Sequence, residues 1–231
     1  MKLKKYGITL SRLQLEDIEL VRNWRNSKTV RDNMEFREYI TPEMQKKWFH
    51  SINNINNLFF IIEYNNEKIG LLNDKNIDWK KRISESGFFL GIQKYYNTFV
   101  PILVSLCGIE STFYFMNWNI SYARILKNNH RAINFNTNLG YQLCEGQENV
   151  ENQKYFLTRQ NFELKAKKIR QAAHKLTGSD DTTYFILEKY DYDKGYADFF
   201  EDIVKNSNYN IKSKITDKEK IFYYKPEFGK K

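Results

Sequence analysis

An α/β layered fold, a sheet flanked by helices, is predicted for this 231-residue chain by three observations. Strand and helix signals alternate over most of the sequence. Two helices place proline in the first turn, Pro42 and Pro101, where a missing N–H costs nothing. Asn65-Asn66 separates two apolar runs as a tight hairpin turn does.

The elements follow in order. Tyr6 to Leu10 is a short strand, and Ile18, Val21 and Trp24 recur at helical spacing in a helix that ends near Arg25-Asn26-Ser27. Thr41 caps a second helix that begins at Pro42-Glu43 and runs to about Ile52. Leu58 to Tyr64 and Lys68 to Leu72 form the hairpin around the asparagine pair, and a further strand spans Ser84 to Ile92. Ile102 to Met116 is apolar enough to be a buried helix and too short to span a membrane. Ile120 to Leu126 is a strand, Asn129 to Leu139 a helix stopped by Gly140, and Tyr141 to Cys144 and Lys154 to Thr158 are strands.

With 41% hydrophobic and 16% aromatic residues the chain is globular. Its formal charge of +9 raises the question of nucleic acid, but the excess is diffuse: 21 basic residues face 16 acidic ones up to residue 157, and 16 face 12 thereafter. Cys107 and Cys144 show no metal or redox spacing, so a reducing cytoplasm is expected. His50, His130 and His174 share no ligand spacing, and no metal is expected.

The segment from Lys127 to Tyr141 carries Asn129, Ala132 and the close Leu139-Gly140-Tyr141. Upstream lie Val21-Arg22-Asn23-Trp24-Arg25-Asn26 and Ile40-Thr41-Pro42-Glu43-Met44-Gln45-Lys46-Lys47-Trp48, and downstream Tyr155-Phe156-Leu157-Thr158-Arg159. In this order and spacing they resemble the GNAT superfamily of N-acetyltransferases over residues 6–162. The branch is similar to ribosomal-protein alanine acetyltransferases and the aminosugar N-acetyltransferases of pseudaminic-acid biosynthesis. The resemblance implies a mixed central sheet and acetyl-CoA as acyl donor.

On that resemblance the central strand is Ser86 to Ile92, parted from its neighbour so that backbone groups can hold the pantetheine arm. The diphosphate would lie on the loop Gln93 to Thr98 and the helix start that follows. Gly91, Ile92, Gln93, Lys94, Asn97, Thr98, Asn129, Arg131 and Ala132 are the expected cofactor contacts. Glu85 is the expected base that deprotonates the amine. Arg25, Asn26, Gln45 and Trp48 are expected on the acceptor side, where an arginine fork suits the diphosphate of a sugar nucleotide. A primary amine, either of a small molecule such as a nucleotide-linked amino sugar or of a protein N-terminus, is the implied acceptor, and a homodimer is compatible with it.

Two departures stand out. Tyr96 and Thr98 occupy the glycine-like positions of the phosphate loop, and Asn136 stands where the family has a tyrosine acid. Tyr95, Tyr96 and Tyr141 are the phenols at hand, and Tyr141 is the expected proton donor. A second reading follows from the missing glycines: a catalytically silent module that recruits a partner or nucleic acid.

Beyond residue 162 the resemblance stops, which divides the chain into 1–162 and an extension over 163–231. Leu164, Ile169, Ala172, Ala173 and Leu176 predict a basic amphipathic linking helix, followed by a β-α-β-β unit.

Overall fold

The structure is a computed structural model that describes residues 1–228. It begins with a hairpin. β1 (Lys2–Lys5) and β2 (Ile8–Arg12) are joined by Tyr6 and Gly7, both left-handed at φ 55° and 75°, the geometry of a two-residue hairpin turn. The sequence marks only the second of these strands, because four residues with three lysines carry no strand signal.

α1 (Ile18–Asn26) and the short α2 (Lys28–Arg31) lead to α3 (Pro42–Ile52), whose Thr41 cap accepts from Met44 N at 3.3 Å. β3 (Leu58–Tyr64) and β4 (Glu67–Asp78) flank Asn65 and Asn66, which adopt φ 50° and 61° as the turn demands. β4 runs six residues past the expected end at Leu72, a length that places Asp74 inside the sheet. β5 (Ile83–Leu90) precedes the buried α4 (Val100–Tyr114). β6 (Ile120–Leu126), α5 (His130–Leu139), β7 (Gln142–Leu143) and β8 (Asn152–Thr158) complete the region of resemblance. Gly140 at φ 106° closes α5, and an added Cβ would lie 2.8 Å from the Asn161 carbonyl.

The expected linking helix is two helices, α6 (Arg159–Lys165) and α7 (Lys167–Thr177), that meet at buried Ala166. β9 (Thr183–Glu188), α8 (Lys189–Asp193), α9 (Ala197–Lys205), β10 (Lys212–Ile215) and β11 (Glu219–Tyr224) follow. β9 pairs antiparallel with β1, so the strands beyond residue 163 lengthen the same sheet. Its eleven strands run β10-β11-β9-β1-β2-β3-β4-β5-β6-β8-β7.

One pairing positions the site. Every neighbouring pair of strands is antiparallel except β5 and β6, which run parallel over Ile83–Glu85 against Ile120–Tyr122 and then part. Ladder pairing ends there, leaving a gap beside β5 from Ser86 onward, where that edge has no strand partner among the described residues. The larger core packs α4 against one face of the sheet, with Leu72, Leu90, Val104, Cys107 and Phe113 in one cluster that also takes in Phe185 and Phe200. The opposite face holds α1 and α3 through Ile18, Val21, Trp24 and Phe49, packed on Phe59, Ile61 and Leu71. No helix among the described residues is long and apolar enough to cross a membrane.

Candidate active site

Residues alternate between the faces of β5. Ser84, Ser86, Phe88 and Leu90 turn toward α4, while Glu85 and Phe89 turn toward α1 and α3. Gly91 N donates to Ile69 O at 2.7 Å, so the backbone of the odd-numbered residues faces β4. The backbone groups of Ser86, Phe88 and Leu90 therefore face the gap, where β6 has withdrawn. This free edge is what a linear amide-bearing arm needs for strand-like hydrogen bonds.

The mouth of the gap brings the two expected cofactor segments together. Arg131, on α5, donates to the Tyr96 carbonyl across it, and Asn129 caps α5 by accepting from Ala132 N at 3.1 Å. The loop after β5 is tied down more than a glycine loop would be. Its amides at Tyr95, Tyr96 and Thr98 donate to Ile92 O, Gln93 O and Tyr95 O. Lys94 pairs with Glu67 at 2.7 Å, Thr98 Oγ1 donates to Tyr95 O, and Asn97 is exposed at the tip. Tyr96 OH donates to Leu90 O at 2.9 Å and so caps one of the free groups on the β5 edge.

Gly91 has a steric reason. The Trp24 ring lies against it, and a Cβ there would approach Trp24 Cγ to 2.2 Å. Gly91→Ala is expected to cost about 1–3 kcal/mol by overpacking, read in a denaturant melt. A variant as stable as the parent would contradict this packing.

Of the four expected acceptor-side residues, three are spent within the fold. Asn26 exchanges two hydrogen bonds with the Ile40 backbone, at 2.8 and 2.9 Å, and pins the segment before α3. Gln45 is buried and donates to Ile18 O at 3.0 Å, tying α3 to α1. Trp48 packs edge-on against Phe59 with centroids 5.2 Å apart. Arg25 differs. Its Nε is enclosed without a hydrogen-bond partner, and burial pulls the guanidinium below the usual arginine range with no carboxylate to offset it.

Glu85 sits where β5 and β6 begin to part, on the α1 and α3 face. Lys75 Nζ lies 2.9 Å from Oε1 and Arg124 Nε 3.2 Å from Oε2, so two half-exposed cations hold the carboxylate in place across three strands. On the other face a cavity of ≈ 50 Å³ is lined by Asp74, Ser86, Ser121, Asn136 and Tyr141 among apolar neighbours, large enough for water. Tyr141 OH lies 3.3 Å from Ser121 Oγ, and burial pushes its phenol up to about 12. Tyr95 donates instead to Glu67, which leaves Tyr141 as the one phenol of the three that lines this cavity. Asp74 escapes sequence reasoning, because an Asn73-Asp74-Lys75 run reads as the polar end of a strand.

A parted parallel pair, a helix-flanked mouth and ionisable groups at the parting define the class: an acyltransferase fold. The family model for the acetyltransferase (GNAT) domain matches residues 10–156, more than half of the chain, and the protein belongs to that family. The structure is similar to FdhC, described as a nucleotide-linked sugar GNAT, at 19% identity and TM-score 0.62 over 75% of this chain and 97% of that one. It is also similar to spermidine N-acetyltransferase from Vibrio cholerae, solved with CoA and spermine, at 16% identity and TM-score 0.57 over 68% of this chain and 99% of that one. An uncharacterised Bacillus halodurans protein aligns at 13% identity and TM-score 0.61 over 72% and 91%. No curated protein sequence matches the chain.

Proposed function

We propose that the protein transfers the acetyl group of acetyl-CoA to the primary amine of a nucleotide-linked amino sugar. The observation that carries this reading is Arg25, a half-buried guanidinium at the end of α1 with no acidic partner among the described residues. An uncompensated buried cation is costly until an anion meets it, and a phosphate oxygen pair matches its fork. A polyamine, cationic throughout, would be repelled by Arg25 where a diphosphate is attracted.

In this reading the pantetheine arm lies along the free edge of β5, and Arg131 and Lys94 stand at the mouth for the diphosphate. Glu85 takes the proton from the incoming ammonium on the acceptor face. The amine nitrogen then attacks the thioester carbonyl and sheds its second proton to Glu85, which has passed the first to solvent, while Tyr141 returns a proton to the departing thiolate from the cofactor face. The chain thus keeps its two proton-transfer groups on opposite faces of the sheet, so deprotonation and reprotonation do not compete for one site.

A panel of nucleotide-diphosphate amino sugars, the corresponding free amino sugars and spermidine, each with acetyl-CoA, tests the acceptor class. Turnover should be confined to the nucleotide-linked compounds, and Arg25→Ala should raise their KM about 10- to 100-fold, the worth of one or two charge-assisted hydrogen bonds. Spermidine as the best acceptor, or an unchanged KM in the variant, would contradict the reading.

A further inference from the structure

Asp74 is the ionisable group of the cavity besides Tyr141, and this chemistry leaves it unused. It lines the cavity with no lysine or arginine against it among the described residues. Its Oδ1 accepts from Ser84 Oγ at 3.1 Å and from Ser86 Oγ, while Oδ2 meets only Thr112 Oγ1 at 3.4 Å. The hydroxyl hydrogen of Thr112 is already directed at Gly108 O, 2.8 Å away. The Oδ2 contact is therefore best made by a proton on Asp74 itself, donated to the Thr112 oxygen. Burial without a cation works the same way and raises the carboxyl above its ordinary range.

The hydrogen bonds do not end at Ser86. Ser86 Oγ lies 2.8 Å from Ser121 Oγ, across the point where β5 and β6 part, and Ser121 Oγ lies 3.3 Å from Tyr141 OH. Each hydroxyl is both donor and acceptor, so the run can pass a proton in either direction. Ser84 and Ser86 from β5, Thr112 from α4, Ser121 from β6 and Tyr141 beyond α5 enclose Asp74, and Tyr141 is the titratable member of that set. Lys75 and Glu85 point to the other face of the sheet.

We propose that Asp74 is the proton reservoir of the transfer, feeding Tyr141 through Ser86 and Ser121. This rests on the acetyltransferase reading above. As the thioester C–S bond breaks, its electron pair stays on sulfur and the sulfur takes the Tyr141 hydroxyl proton. The Tyr141 oxygen takes a proton from Ser121, Ser121 from Ser86, and Ser86 from the Asp74 carboxyl once that group has turned its protonated oxygen from Thr112 toward Ser86; Asp74 ends as carboxylate. The acceptor nitrogen sheds two protons, one before it attacks and one as the amide forms; both leave in turn through Glu85 to solvent, and Asp74 regains one from solvent when products depart. Tyr141 thus returns to its protonated form within the same turnover, with no phenolate left in an apolar cavity. Asp74 touches neither substrate nor cofactor; it is a positioning residue that acts through Tyr141.

Asp74→Asn keeps the shape and hydrogen bonds of the carboxyl and removes its proton, and Ser121→Ala cuts the run without touching Asp74. Each should lower kcat about 10- to 100-fold with the KM for acetyl-CoA unchanged, and the double variant should be no slower than the worse single one. The infrared spectrum at neutral pH should contain a protonated-carboxyl C=O band that Asp74→Asn abolishes and Ser121→Ala retains. Full turnover in both single variants, multiplicative losses in the double one, or absence of the band would overturn the reservoir. A parent protein that acetylates no amine would instead overturn the acetyltransferase reading, and the reservoir with it.

Discussion

Glu85→Gln is expected to lower kcat by at least about 100-fold, the lower end of what a positioned general base contributes. The amide keeps the size of the carboxylate and can still hold Arg124 or Lys75 through its oxygen, but it cannot take the ammonium proton. The KM for acetyl-CoA should stay within about twofold, because in the proposed arrangement the pantetheine arm follows the free edge of β5 while Glu85 faces α1 and α3. Raising the pH supplies neutral amine from solution, so the variant should recover part of its rate above the acceptor's own pKa while the parent does not gain. Stopped-flow assay of CoA release across pH 6–10 reads both effects. Equal rates in parent and variant at neutral pH would leave Glu85 with nothing beyond its cross-strand ion pairs.

Removing Glu110 is expected to have the largest effect on stability. This carboxylate, fully buried on α4, is met by Lys5 Nζ at 2.7 Å, Arg170 Nε at 2.9 Å and Tyr6 OH at 2.9 Å. It thereby joins α4 to β1 and to α7. Lys5 also reaches Asp181 at 2.7 Å, just before β9, and Arg170 donates to Tyr114 OH at 2.9 Å. Glu110→Ala leaves two buried cations short of a counter-charge, a change that costs about 3–5 kcal/mol when one partner of a buried pair is deleted. For a chain of this size the melting temperature should fall by roughly 10 °C. Glu110→Gln, which preserves volume, should reproduce most of the loss. A Gln variant as stable as the parent would assign the effect to packing and not to charge.

Much of the fold was legible because its signals are local. Thr41-Pro42 starts a helix, Asn65-Asn66 turns a hairpin and Gly140 ends a helix, each through backbone chemistry carried by the residue itself. The pairing of β9 with β1 was not legible, since it joins residues about 180 positions apart and leaves no pattern in either segment. The break at Ala166 was hidden for a similar reason: no proline or glycine marks it, and a buried alanine at a helix junction reads as one more turn of helix.

The site divides the same way. Glu85, Arg25 and the two loop segments enter as candidates through the family resemblance, which rests on the order and spacing of the motifs. Asn26 and Gln45 looked like free polar groups on helices, but what they do depends on a carbonyl brought near by tertiary packing, Ile40 for one and Ile18 for the other. Asp74 was missed because burial of a carboxyl is decided by its neighbours. A signal was nonetheless present: Ser84 and Ser86 alternate on one face of their strand, opposite an acidic residue in a strand otherwise apolar on that face.

In the proposed reaction the parted strands carry acetyl-CoA to a phosphate-bearing amine. Incubation of the full chain with acetyl-CoA and nucleotide-diphosphate amino sugars, followed by mass spectrometry of the sugar nucleotide, tests it most directly. A gain of one acetyl group on the amine, matched mole for mole by released CoA, is the predicted result. Unmodified sugar nucleotide together with no calorimetric binding of CoA would contradict it, and would favour a GNAT fold kept for recruiting a partner.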